Sequence, residues 1–135
     1  MKPATIFLDT SGLIAVLDAD DRAHAAAHPV WRMWVEQDTP LLTSNYVVVE
    51  TLAVLQRRYG MTAVRALYDE LLPVVYVVWI DAPLHTQAVE QFLIANRYQL
   101  SLVDCTSFTL MRALGLRHVF TFDAHFAEQG FTCYP

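Results

Sequence analysis

The sequence predicts an α/β fold with a parallel sheet, and three observations carry that prediction. Short apolar runs alternate with amphipathic helical stretches from end to end, the pattern of strand-helix-strand crossovers. The run Val74 to Ile80 is β-branched and aromatic throughout, which suits a strand covered on both faces. Acids stand directly after apolar runs, at Asp9, Asp104 and Asp123, and open α/β sheets gather their functional groups at the carboxyl ends of strands. With 135 residues and no repeat, linker or low-complexity tract, residues 1–135 read as one domain with a sizeable core.

Ala4 to Leu8 is the first strand, Thr10-Ser11-Gly12 a polar turn and Leu13 to Leu17 a helical stretch. Asp18 to Asp21 breaks the pattern, which resumes from Ala23 to Glu36 with a bend expected at Pro29. Leu41 to Thr43 is a short strand. Ser44 or Asn45 suits the N-cap of a helix from Tyr46 through Arg58, whose inward stripe is Val48, Leu52 and Leu55. Gly60 closes that helix, and Thr62 starts another that runs through Leu71 to Pro73. Val74 to Ile80 is read as a central strand. Pro83 opens a helix ending near Asn96. Ser101-Leu102-Val103 leads to Asp104, read as the cap of a helix from Cys105 to Leu114 that Gly115 closes. Val119 to Phe122 is a strand ending in Asp123, followed by a helical turn and a last extended piece, Phe131 to Cys133.

Composition narrows the function classes. Apolar residues make up 55% of the chain and charged residues 17%, which excludes a disordered chain. No run approaches the ~20 apolar residues of a membrane-spanning helix. The apolar surplus instead predicts burial against a second chain, in a homodimer or a protein complex. The amino terminus lacks the apolar core of a secretory signal, so the expected location is cytoplasmic. Two isolated cysteines, Cys105 and Cys133, are expected as free thiols. A net charge of −5 argues against holding nucleic acid on a broad basic surface. Four clustered carboxylates would account for most of that excess, so nucleic-acid binding would rely on a local patch or a dimer groove.

The chemistry rests on Asp9, Glu50, Asp104 and Asp123. Glu50 lies in the second turn of a helix that itself follows a strand, so it can point back to the edge where the three aspartates fall. Carboxylates brought close together repel and raise one another's pKa unless a cation compensates. Hard oxygen ligands favour Mg²⁺ or Mn²⁺ over Zn²⁺, and such ions promote phosphodiester hydrolysis.

The stretches Phe7-Leu8-Asp9-Thr10-Ser11, Val49-Glu50-Thr51, Ser101-Leu102-Val103-Asp104 and Thr121-Phe122-Asp123 resemble, in order and spacing, the four acidic motifs of PIN domains. The length and the Asp18 to His24 bend resemble in particular the VapC-like toxins of prokaryotic toxin-antitoxin pairs. That resemblance implies a three-layer α/β/α fold around a mainly parallel sheet of about five strands. It implies a Mg²⁺ or Mn²⁺ dependent endoribonuclease acting on RNA, usually dimeric and often inhibited by a cognate antitoxin. Asp9, Glu50, Asp104 and Asp123 would then be metal ligands or orient the attacking water, and Thr10 would help hold water or metal. One departure is Ala124, where many relatives carry a polar or basic residue after the last acid.

Plainer roles are assigned elsewhere. His24 and His28 are read as a solvated face, His125 as packing, and Trp31, Trp34 and Trp79 as core or dimer contacts. Arg57, Arg58 and Arg65 are as compatible with an exposed helix end as with a phosphate patch, and Thr106 and Ser107 with a cap as with a metal site. An aspartyl-phosphate phosphatase would want an acid where Ser11 stands, and a receiver domain a lysine late in the chain, where there is none. A PIN nuclease in RNA maturation or DNA cleavage, or a non-catalytic PIN-like binding module, remains as the alternative.

Overall fold

A computed structural model describes residues 4–135, which leaves Met1, Lys2 and Pro3, and the amino-terminal charge at Lys2, outside the described residues. Five parallel strands, β1 (Ile6–Leu8), β2 (Leu41–Ser44), β3 (Tyr76–Val78), β4 (His118–Phe120) and β5 (Thr132–Tyr134), lie in the order β3-β2-β1-β4-β5. Every pairing is parallel, with Ile6 opposite both Leu41 and His118. Helices cover both faces of the sheet, giving the three-layer α/β/α arrangement. All three residues of β1 are buried, as expected of a parallel strand sandwiched between helical layers.

The chain leaves β1 one way toward β2 and β3, and returns on the other side through β4 and β5. The order therefore reverses beside β1, and a crevice opens there beyond the carboxyl ends of β1 and β4. Helix α1 (Thr10–Leu17) starts immediately after β1 and packs on α2 (His24–Glu36) and α3 (Asn45–Tyr59). The Thr10-Ser11-Gly12 turn of the sequence reading is thus the first turn of α1. Gly12 is required there: a Cβ at this position would lie 2.6 Å from the Phe120 carbonyl oxygen. Trp34 of α2 lays its edge against Phe120, ring centroids 5.1 Å apart, at the centre of the core.

Several expectations shift. Ser44 caps α3, accepting from Val47 N at 3.1 Å. The buried stripe of that helix is Val47, Thr51 and Leu55, one residue out of step with the prediction at two positions, because Thr51 faces inward with its hydroxyl bonded to the Val47 carbonyl. After α4 (Met61–Ala66) the helix widens into a π turn, Leu67–Leu71, that buries both of its leucines, and then tightens into a 3₁₀ turn, Leu72–Val74.

The Val74 to Ile80 run is not a central strand. Only Tyr76–Val78 joins the sheet, at its edge, paired with β2 alone. Val74 is held in the 3₁₀ turn, and the Ile80 N–H donates to the Asn45 side chain instead of to a neighbouring strand. Tyr76 is 71% and Trp79 77% exposed, so Trp79 is no core residue. β-branched composition reports strand propensity and leaves lateral position in the sheet open.

Beyond β3, α5 (Ala82–Ala95) is capped by Asp81 and packs along α6 (Leu102–Leu114), and α7 (Ala124–Glu128) joins β4 to β5. No described helix is long and apolar enough to cross a membrane. Cys105 and Cys133 are free thiols.

Candidate active site

Asp9, Glu50, Asp104 and Asp123 line one pocket of about 290 Å³ at the crevice beside β1, together with Thr10, Ser11, Ile14, Asp21, Val54, Arg58 and Phe122. A larger groove of about 780 Å³ opens at the amino ends of the strands, between Trp34 and Tyr76, and Asp38 is the one carboxylate in its lining. Chemistry distinguishes the two, since the smaller pocket holds the converging acids.

Each aspartate commits one carboxylate oxygen to the protein. Asp9 is 4% exposed and does not cap α1 with its side chain. Its Oδ2 instead accepts from Ser11 Oγ at 3.0 Å and from Thr121 Oγ1 at 2.8 Å, across 112 residues of sequence. Asp104 is not the cap of α6. Ser101 is, and Asp104 stands at the third helical position, its Oδ2 accepting from Ser101 N at 3.1 Å while Ser101 Oγ accepts from Asp104 N at 3.0 Å. This reciprocal capping box displaces the predicted cap because serine at the N-cap with an acid three residues on satisfies two orphan N–H groups at once. No strand precedes Asp104; it comes from the first turn of a helix. Asp123 caps α7, its Oδ1 accepting from His125 N at 2.9 Å. Each of the three carboxylates is thereby held in a fixed orientation at the pocket.

The cost of this arrangement is electrostatic. Burial pushes the Asp9 carboxyl up to about 6 and the Asp104 charge adds to the shift, while Thr121 and Ser11 pull it back. Burial also raises Glu50, against the pull of the Thr10 hydroxyl, and the charges of Asp104 and Asp123 raise it further. Asp104 rises chiefly through burial, opposed by its cap to Ser101, with Asp123 contributing.

His125, read from sequence as a packing residue, belongs to the cluster. Its Nδ1 is 3.0 Å from Asp123 Oδ1 and 4.0 Å from Asp104 Oδ2. That nitrogen is buried and makes no hydrogen bond. Ligand atoms of Asp104, Asp123 and His125 lie within 4.8 Å of one another, close enough to share a cation. A carboxylate-rich set with one imidazole fits Mn²⁺ at least as well as Mg²⁺. Ser11 and Thr121 were also missed as site residues, although both lie inside the acidic motifs.

The remaining candidates have structural roles. His24 Nδ1 lies 2.7 Å from the Ala15 carbonyl and ties α2 to α1, with the His28 ring beside it. His85 pairs with the Tyr46 hydroxyl, and His118 Nδ1 lies 3.1 Å from that of Tyr134. Thr106 donates to the Leu102 carbonyl of its own helix.

Residues 6–131 match the family model of the PIN domain. The chain belongs to the PIN domain family. Its relatives include the 23S rRNA-specific endonuclease VapC20 of Mycobacterium tuberculosis, in strains CDC 1551 and H37Rv, 38% identical over 127 residues, which is 93% of this chain and 95% of that protein. The crystal structure of M. tuberculosis VapC20, described as a sarcin-ricin loop cleaving toxin, superimposes with a TM-score of 0.81 at 37% identity, covering 94% of this chain and 96% of the other. FitAcB from Neisseria gonorrhoeae (TM-score 0.65, 15% identity, 96% of each chain) shares the PIN fold. So does PAE2754 from Pyrobaculum aerophilum (TM-score 0.69, 18% identity, 98% of this chain and 90% of that one).

Proposed function

We propose that this chain is a metal-dependent endoribonuclease, the toxin of a VapBC-type pair, acting as a single catalytic domain over residues 1–135. The observation that carries the reading is the convergence, from four separate elements, of four carboxylates in one pocket, three of them with raised pKa values. Unpaired like charges at such a site are a standing cost that a divalent cation removes. Asp9, Glu50, Asp104 and Asp123 are the proposed ligands, with His125 beside them and the Thr10 hydroxyl supporting Glu50.

A bound Mg²⁺ or Mn²⁺ would supply positive charge against the phosphate and lower the pKa of the attacking water. Hydrolysis adds one water across the phosphodiester: a new P–O bond forms, the bond to the leaving oxygen breaks, and that oxygen takes up a proton. Ser11 and Thr121 hold the Asp9 carboxylate, and Ser101 holds that of Asp104, so neither needs to reorient as the reaction proceeds.

A homodimer and a cognate antitoxin belong to the same reading. Leu93, Ile94 and Tyr98, on and just after α5, are exposed apolar residues that a second copy would cover. Sedimentation of the purified chain tests the dimer: a dimer that Ile94→Asp dissociates supports it, and a parent protein that sediments as a monomer rejects it.

The decisive experiment incubates the purified chain with 23S rRNA and control RNAs, with Mn²⁺, Mg²⁺ or EDTA, beside Asp9→Asn and Asp104→Asn. Metal-dependent cleavage lost by at least a hundredfold in both variants is expected. Cleavage in EDTA, or full activity in either variant, rejects the mechanism. Growth arrest on expression that Asp9→Asn relieves supports the toxin role, and unaffected growth opposes it.

A further inference from the structure

We infer that Arg58 forms a phosphate subsite, taking the backbone phosphodiester next to the one cleaved and fixing the register of RNA in the pocket. The inference rests on the ribonuclease reading above. Glu50, Val54 and Arg58 recur every four residues along α3 and all three line the pocket, so one face of that helix forms a wall of it. Eight residues place the Cα atoms of Glu50 and Arg58 about 12 Å apart along the helix. The wall thus has an acidic end and a basic end, with Val54 between them and Ile14 of α1 in the same lining.

Arg58 is the one lysine or arginine in that lining. Among the described residues it makes no ion pair, whereas Arg32 and Arg97 are engaged with Glu36 and Glu128. The nearby Asp18 carboxylate is taken instead by the Tyr59 hydroxyl at 2.5 Å. Arg57 shares the last turn of α3 and its attraction to the helix terminus, but is absent from the pocket lining. The helix-end explanation therefore covers both arginines, and Arg58 also approaches the Tyr59 hydroxyl, but neither contact accounts for Arg58 alone lining the pocket.

A chain of net charge −5 must draw in a polyanion through local cations. A cation held by the acids would serve the cleaved phosphate. A guanidinium displaced along α3 and unpaired with those acids reaches a different phosphate, which it can grip through two parallel N–H donors.

The test measures binding of single-stranded RNA across a salt series, in the Asp9→Asn background with Mn²⁺ so that nothing is cleaved. It compares Arg58→Ala, Arg58→Lys and Arg57→Ala. Arg58→Ala is expected to weaken binding about tenfold at low salt and to flatten the log-log salt slope by about 0.7, the signature of one lost phosphate contact. Arg58→Lys should restore the slope but only part of the affinity, and Arg57→Ala should match the parent. In the cleaving protein the loss should fall on KM more than on kcat. Parent-like affinity and slope in Arg58→Ala overturn the subsite and leave the nuclease standing; no RNA binding by the parent overturns both.

Discussion

Gly12→Ala probes the joint on which the candidate active site is built. In an exposed helix this change stabilises by up to about 1 kcal/mol, because alanine is the better helix former. Here the new Cβ would sit 2.6 Å from the Phe120 carbonyl oxygen and 2.7 Å from its Cδ2. Reaching ordinary contact requires α1 and β4 to separate by roughly 0.5–0.8 Å. Phe120 is fully buried and its ring is pinned by Trp34, so the strand has little room to retreat. The same carbonyl accepts the Asp9 N–H at 3.1 Å, so separation also stretches that bond. Overpacking costs about 1–3 kcal/mol and a weakened buried hydrogen bond adds about 1, against the helix gain. The net is a loss of about 2 kcal/mol, or roughly 6–10 °C in Tm for a domain of this size. Urea unfolding followed by tryptophan fluorescence reads it, with Trp34 as a reporter next to the strain. Manganese-dependent cleavage should fall more than the unfolded fraction explains, since Asp9 moves relative to Thr121. An alanine variant as stable as the parent would refute the close approach of α1 to β4.

Three further outcomes follow from the carboxylates. Asp9 ionises near 3.8 when unfolded and near 6 when folded, so metal-free stability attributable to it is full below about pH 4. That stability falls by about 3 kcal/mol as pH rises to about 6, then stays flat. Urea titrations in EDTA should show Asp9→Asn gaining on the parent across that window, and parallel profiles would reject the raised pKa. Thr121→Val removes a hydrogen bond that favours the ionised Asp9, so the acid limb of the pH-rate profile should move to higher pH and cost about tenfold at pH 6; an unmoved limb would show that Asp9 does not set it. His125→Gln should weaken Mn²⁺ binding by about 10- to 100-fold in calorimetry and Mg²⁺ binding less, and equal affinities would exclude the imidazole from the metal's surroundings.

The parallel sheet and the helix order were legible because local signals and tertiary demands agree there, and so was the convergence of the four acids on one pocket, although the local reason held only for some of them. Asp9 and Asp123 each follow a β-strand run, and that position alone places them at the switch in strand order. What escaped depended on lateral packing. Whether Val74 to Ile80 ran through the middle of the sheet or along its rim depended on neighbours far away in sequence. Asp104 was found for the wrong local reason, since Ser101 owns the cap. His125, Ser11 and Thr121 sat inside recognised motifs, yet a polar side chain reveals its target only when the strand beside it is known. Arg57 and Arg58 were indistinguishable until helix phase put one of them in the pocket.

The bond between Thr121 and Asp9 spans 112 residues of sequence, and β1 gains its β4 neighbour only after β2, β3 and the helices between them have been made. A growing chain that has not yet reached Thr121 consequently cannot hold the Asp9 carboxylate in the geometry of the folded pocket.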